Sequence, residues 1–239
     1  MSTFPAAMVV SSYLRLERQL RGVLEVVPYC DAHRGVWSPA LVAVLLDAGS
    51  QIDSLWRTES RLSRSTASDP NLVDFFTYFG QYLHYRWVVF WGDEPIKLFP
   101  YQKWAGKTSF KKPDYSPLSW WQAYTKLKHD RLENRTLATM ENSVRAVAAL
   151  FLAILRCEQC RDEIVQAKWL TSLYHRPELW LNEQESTVTW DRWITAETSL
   201  FTYPVGWCRK AITKGSNWDN EGASHRWKRW HEQNEQVAS

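Results

Sequence analysis

The fold of this chain is decided by one apolar stretch, Ala146-Val-Ala-Ala-Leu-Phe-Leu-Ala-Ile-Leu155. It is the longest apolar run, and it falls well short of the ~18 residues that a membrane span requires. Apolar side chains recur three and four residues apart from Leu137 to Ile154, as on one face of an α-helix. Thr136 and Thr139 are both suitable N-terminal caps. The stretch therefore predicts a long buried helix.

The same spacing predicts four further helical segments. One runs from about Tyr13 to Val26. A second, of about 20 residues, begins at Ser38-Pro39, because serine caps a helix and proline suits its first turn. A third covers Asn71 to Tyr85, and a fourth runs from Trp120 to about Arg131, with Ser119 as its cap.

Short β-prone segments accompany these helices. The runs from Trp87 to Trp91 and from Ile96 to Phe99 flank a Gly-Asp-Glu-Pro turn and predict a hairpin. The runs from Ser186 to Trp190 and from Ser199 to Tyr203 are also β-prone. We expect a mainly α protein, a helical bundle of four to five helices with short β-hairpin accessories. Residues 1–215 form a single domain, and residues 216–239 form a polar, Trp-containing tail that is poorly ordered.

The composition excludes several classes of protein. An apolar fraction of 45% and a charged fraction of 23% are ordinary for a globular chain, but 15 tryptophans are unusual. The N-terminus has no basic segment followed by a long apolar run, so it does not predict a signal peptide. We therefore expect a cytoplasmic protein with no membrane segment. No glycine-rich phosphate loop, nucleophile elbow or zinc-protease motif is present, and we expect no cofactor.

The cysteines offer a weak metal motif. Cys157 and Cys160 have the spacing of a metal-binding pair, but no second pair follows, and Cys208 and His175 could complete a zinc site only by a coincidence of folding. Two cysteines one turn apart at the end of an apolar helix are more often simply packed in the core. We therefore expect no metal and reduced thiols.

Basic and aromatic residues are concentrated in one part of the chain. Between Lys103 and Arg135 there are eight Lys or Arg and three acids, although the net charge of the whole chain is only +3. On a helix, Trp121, Tyr124 and Lys128 fall on one stripe, which Arg131 and Arg135 continue. Cations next to aromatic side chains are typical of a nucleic-acid interface.

The candidate site residues follow from this segment. His129 can act as a general acid or base near neutral pH, and Lys128 and Arg131 can bind an anion beside it. Trp121 and Tyr124 offer stacking faces for bases, and Lys126 and Arg135 offer charges for phosphates. The alternative is that the aromatic residues pack in the core while the cations face water near a helix C-terminus, where the helix dipole favours positive charge.

The segment Trp-Trp-x-x-Tyr-x-x-x-Lys-His-x-Arg at residues 120–131, with the apolar helix that follows, resembles the HEPN superfamily of compact helical bundles common in toxin–antitoxin and phage-defence systems. The resemblance covers Trp120 to Arg156. It implies a helical fold, RNA as ligand, metal-independent RNA cleavage in active members, and a homodimer that pairs two sites. Active members carry a His four to six positions after an Arg.

This chain departs from that order, because His129 precedes Arg131. An Arg-x4-His match occurs at Arg226 and His231, but it lies in the predicted tail. We expect a HEPN-like RNA-associated protein, either RNA-binding or a ribonuclease. A non-enzymatic interaction or scaffold module with a Trp-rich docking surface, acting on a protein partner or as a homo-oligomer, is the main alternative. A small-molecule sensor with an aromatic pocket is a third.

Overall fold

The computed structural model describes residues 4–63, 70–84, 86–92, 95–105, 107–172 and 194–204. Within these ranges the helices are α1 Ala6–Leu24, α2 Pro39–Ser63, α3 Leu72–Leu83, α4 Ser119–His129, α5 Met140–Arg156 and α6 Arg161–Gln166. The strands are β1 Val88–Trp91, β2 Pro95–Leu98, β3 Leu170–Ser172, β4 Ile194–Glu197 and β5 Phe201–Pro204. The prediction of a mainly α protein is confirmed. The prediction of a bundle of four to five helices with hairpin accessories is not confirmed, because the strands form a sheet of their own.

The apolar stretch forms the middle of the fold, as its sequence predicts. Every side chain from Ala146 to Leu155 is buried, and α5 packs against α1, α2 and α4. Thr139, not Thr136, caps the helix, since its hydroxyl accepts a hydrogen bond from Asn142 N at 3.2 Å. Among the described helices, none has the length and apolar character needed to cross a bilayer.

The other helices differ from the prediction mainly at their ends. The α2 cap is confirmed, because Ser38 Oγ accepts from Leu41 N at 3.2 Å. Asn71 caps α3 in a reciprocal capping box with Asp74. Helix α1 begins at Ala6, well before the predicted Tyr13, and Ser119 lies inside α4 instead of capping it.

The strands form one five-stranded antiparallel sheet in the order β2-β1-β5-β4-β3. The predicted hairpin is confirmed as β1 and β2, with Val88 opposite Leu98. The predicted β-prone run from Ser199 to Tyr203 contains the start of β5. The run from Ser186 to Trp190 and residues 216–239 lie outside the described residues, as do Arg226 and His231.

The Glu17 carboxylate joins the sheet to α1. It is 2% exposed, and it accepts hydrogen bonds from Tyr13 Oη at 3.1 Å and Leu200 N at 3.0 Å. The Thr198 hydroxyl donates to the same oxygen, Oε1, and Ser199 N donates to Oε2 at 3.3 Å. Glu17 therefore accepts from three consecutive residues of the turn between β4 and β5, Thr198, Ser199 and Leu200.

Most tryptophans in the described part of the chain are packed in the core. Six of the eight tryptophans in the described residues are buried. Trp56 of α2 lies at the centre of an aromatic cluster, with ring centroids 5.3–6.4 Å from five other rings. These rings belong to Phe75, Phe79, Tyr101, Trp104 and Trp121. The high tryptophan count thus reflects core packing over much of the described chain.

The two cysteines after α5 are packed in the core. Cys157 and Cys160 are free thiols and fully buried. A hydrogen bond with Cys160, together with burial, raises the pKa of Cys157 well above its ordinary range, which makes a thiolate less accessible. No group of three or more His, Cys, Asp or Glu suited to a metal occurs within the described ranges. His175 and Cys208 lie outside them.

Candidate functional site

Trp121 of α4, which was predicted to stack on a base, is buried in the core. Trp121 is 6% exposed, and its ring stacks on Trp56 with centroids 5.9 Å apart. Trp120 and Tyr124 meet it edge-on at 5.5 and 5.2 Å. Because neighbouring rings cover the indole, Trp121 has no free face for a base in this structure.

Tyr124 is buried as well. Its ring packs directly on Gly49 of α2, where a Cβ would stand only 2.3 Å from the Tyr124 Cγ atom. Burial raises the pKa of Tyr124, although the nearby Lys128 opposes this effect. Gly49 thus allows α2 and α4 to approach closely, and Tyr124 fills the space between them.

Lys128 lies on the edge of this contact. Its Nζ is 3.7 Å from Asp53 Oδ2 and 5.6 Å from the centre of the Tyr124 ring. Asp53 also accepts from Arg57 Nε at 3.0 Å. Lys128 therefore forms an ion pair with α2, although its side chain remains exposed.

The helix ends earlier than the predicted stripe requires. His129 is the last residue of α4, so Arg131 and Arg135 lie beyond it and do not continue the stripe. The chain then makes an ordered turn in which Asp130 Oδ1 accepts from Glu133 N at 3.2 Å. Asn134 Nδ2 donates to the Asp130 carbonyl at 2.9 Å. These bonds hold Arg131 at the outside of the turn.

Five basic side chains are exposed around this turn, and we call this surface the basic turn. Its members are Lys126, Lys128, His129, Arg131 and Arg135. Asp130 and Glu133 are the acids between them. Within the described part of the chain, no hydrogen bond or ion pair joins Lys128, His129 and Arg131 to one another. The basic turn thus presents cations to solvent, which suits the binding of a polyanion.

A residue that the sequence interpretation missed, Trp37, borders the basic turn. The Arg135 guanidinium lies over its ring, 5.8 Å from the centroid, and Arg135 Nη1 donates to the Leu132 carbonyl at 2.6 Å. Trp37 is 39% exposed and Leu132 is 80% exposed. The one sequence signal was that Trp37 directly precedes the Ser38 cap, a position outside the apolar pattern of α2.

The backbone under Trp37 is fixed to the start of α5. Met140 N donates to the Val36 carbonyl at 2.7 Å, and Glu141 N donates to the Arg34 carbonyl at 3.1 Å. Trp37 itself forms an isolated antiparallel bridge with Thr139. Two chain segments that are distant in sequence therefore fix the backbone of Trp37.

Glu141 strengthens this junction. Its carboxylate accepts hydrogen bonds from the Tyr29 hydroxyl and from Arg145, and it lies 3.7 Å from Arg34 Nε. Burial alone would raise the pKa of Glu141, but the hydrogen bonds and the two arginine charges outweigh it and lower the pKa below the usual 4.5.

This network predicts a pH-dependent loss of stability in Glu141→Gln. A lowered folded-state pKa contributes stability that is present above the unfolded pKa and is lost as pH falls through the folded pKa. We expect the variant to be less stable than the wild type by about 1–2 kcal/mol at pH 7, because charge-assisted hydrogen bonds are lost. Urea unfolding should show this difference shrinking as pH falls below 4.5. A difference that is constant with pH would contradict the assignment.

A shallow groove lies between α1 and α2. It encloses about 80 Å³ and is lined mainly by apolar atoms from Phe4, Met8, Val9 and Leu55. Pockets for drug-sized ligands are typically ~300–1,000 Å³. The groove is therefore too small to support the small-molecule sensor alternative.

Comparison of the chain with protein-family models, with curated proteins and with solved structures finds no match in any of the three. The proposed function therefore rests on the charge, exposure and geometry of the basic turn.

Proposed function

We propose that this protein binds RNA through the basic turn. The observation that carries the proposal is that Lys126, His129, Arg131 and Arg135 are all exposed within ten residues of chain, with Lys128 beside them. Phosphate contacts by lysine and arginine supply most of the affinity of nucleic-acid binding that is not sequence-specific. An ordered turn that presents several such cations is a suitable surface for a phosphate backbone.

We expect Lys126→Ala/Arg131→Ala to weaken RNA binding and its dependence on salt. Each phosphate contact to a single strand contributes about 0.7 to the slope of log K against log salt, so losing two should reduce the slope by about 1.4. Fluorescence anisotropy with a labelled single-stranded RNA, measured over a series of salt concentrations, gives both quantities.

The matched control is Arg18→Ala/Lys111→Ala, which removes two exposed cations that lie outside the basic turn. It should leave the slope close to that of the wild type. An equal change in both double variants, or no binding by the wild type at moderate salt, would contradict RNA binding at the basic turn.

The HEPN resemblance extends this proposal to metal-independent RNA cleavage, with His129 as general acid or base and Lys128 and Arg131 stabilising the phosphate charge. The exposure of His129 and Arg131 supports access of a substrate, whereas the ion pair of Lys128 with Asp53 ties that residue partly to α2. The same RNA, incubated with a chelator, should be cut by the wild type and not by His129→Ala. If the wild type binds the RNA but does not cut it, the cleavage proposal is wrong and the binding proposal stands.

A second candidate function is docking of a protein partner or of a second copy of this chain. It is favoured by the exposed Leu132 and Trp37 on either side of Arg135, because tryptophan and arginine often dominate protein interfaces. This candidate predicts a concentration-dependent oligomer, or a stable complex, that Leu132→Ser weakens and that RNA does not affect.

A further inference from the structure

We propose that Trp37 stacks on an unpaired base, so that the RNA ligand of the basic turn is single-stranded. The inference rests on the proposed function and adds the class of RNA and a residue that the candidate site lacked. Trp37 is the one exposed tryptophan among the described residues.

Exposure alone would not make Trp37 a platform, but its position does. Part of the Trp37 indole is exposed to solvent, whereas the Trp37 backbone pairs with Thr139. The carbonyl of the neighbouring Val36 accepts a hydrogen bond from Met140 N at 2.7 Å. A side chain on a fixed backbone loses less conformational entropy on binding than one on a mobile loop. Trp121 and Tyr124, by contrast, are covered by other side chains and cannot take this role without unpacking α4.

The neighbouring charge favours a nucleotide over an apolar ligand. Arg135 lies over the Trp37 ring, 5.8 Å from its centroid, and the side chain is exposed. A base can take the place of the guanidinium over the indole while Arg135 turns to the adjacent phosphate, which keeps both a stacking contact and an ion pair. Leu132, whose carbonyl accepts from Arg135 Nη1, is 80% exposed in the same turn.

An exposed indole favours single-stranded RNA, because the faces of the bases are accessible only in unpaired nucleotides. In an RNA duplex the base faces are stacked within the helix, and proteins reach mainly the backbone and 2′-hydroxyl groups. Unpaired bases can leave the stack and meet an aromatic side chain. Trp37 should therefore contribute to single-strand affinity and not to duplex affinity.

The test compares Trp37→Ala with the wild type on a labelled single strand of about 12 nucleotides, a length within the usual range of single-strand sites. The same strand annealed to its complement is the second probe. We expect Trp37→Ala to weaken single-strand binding roughly 5- to 150-fold with an unchanged salt slope, since stacking is not electrostatic. Duplex binding should be unchanged.

Two further variants keep the result interpretable. Trp37→Phe retains an aromatic face and should retain most of the affinity, and Met8→Ala removes an exposed apolar side chain of α1 and should have no effect. Circular dichroism and thermal unfolding confirm that each variant is folded. If Trp37→Ala were unfolded, a Trp37→Phe variant with wild-type stability and the predicted small loss on the single strand alone would still support stacking. No loss, or equal losses on both probes, would overturn it.

The remaining outcomes separate the two proposals. If Lys126→Ala/Arg131→Ala weakens binding while Trp37→Ala does not, the stacking inference fails and RNA binding stands. If the wild type binds neither probe, RNA binding fails. A Trp37→Ala variant that loses self-association instead, with RNA binding absent, would assign this surface to a second copy of the chain.

Discussion

Replacing Trp121 by alanine is expected to lower the free energy of unfolding by about 3–5 kcal/mol, the usual range for removing a buried tryptophan. Trp121 is buried against Trp56, Trp120 and Tyr124, so its removal leaves a cavity that three large rings cannot easily fill. The lost aromatic contacts add to the lost burial. Of the candidate site residues, Trp121 should therefore have the largest effect on stability.

Urea unfolding followed by circular dichroism measures this effect. Trp121→Phe keeps a ring in the cluster and should cost clearly less, whereas Trp37→Ala removes a partly exposed tryptophan and should cost the least of the three. Under conditions in which Trp121→Ala is still folded, its affinity for RNA should be close to that of the wild type. A loss of RNA binding with little loss of stability would show that Trp121 is a contact residue after all.

The sequence predicted the position of α5 well because every residue from Ala146 to Leu155 is apolar. It also predicted α2, α3 and the β1–β2 hairpin, where local caps and turn residues agree with the apolar spacing. The start of α1 was missed because the apolar run around Val10 does not have a clear period, although Val10 is buried beside Tyr13. The full sheet was missed because its order joins strands that are about 100 residues apart, and no local pattern encodes such pairing.

For the candidate site, the sequence did not predict which side chains are buried. Helical spacing correctly placed Trp121, Tyr124 and Lys128 near one another, but it did not show which of these side chains face the core. The end of α4 at His129 carries no glycine or proline, and it depends on a turn stabilised by the Asp130 side chain. Trp37 lies about 100 residues before Arg135, so only the folded chain brings the two together.

Glu17 is the clearest case of a residue whose role depends on non-local structure. On the sequence it is one of several charged residues of an amphipathic helix, a pattern that indicates a solvated face. In the fold it is buried because the turn between β4 and β5 brings Thr198, Ser199 and Leu200 to its carboxylate. An isolated buried carboxylate would be costly, but several donors compensate for its lost hydration.

We therefore expect Glu17→Ala to lower the free energy of unfolding by about 3 kcal/mol, since it removes the acceptor of four hydrogen bonds and leaves the buried Leu200 N without its partner. The Tyr13 hydroxyl and Leu200 N are both buried and would lose a hydrogen bond to Glu17. The loss should be concentrated where the sheet meets α1. Hydrogen exchange of the Leu200 amide should accelerate more than that of amides in the middle of α5.

Two variants define what this result means. Glu17→Gln keeps the volume and one acceptor oxygen, so it should cost less than Glu17→Ala. Glu25→Ala removes an exposed carboxylate from the end of α1, where Arg21 pairs with it, and should change stability by less than about 0.5 kcal/mol. If Glu17→Ala behaved like Glu25→Ala, the turn between β4 and β5 would not depend on the carboxylate. The sheet would then be held to α1 mainly by apolar packing, in which Tyr13 contacts Trp169 next to β3 and also Phe151 of α5, and Phe151 in turn stacks on Phe201 of β5.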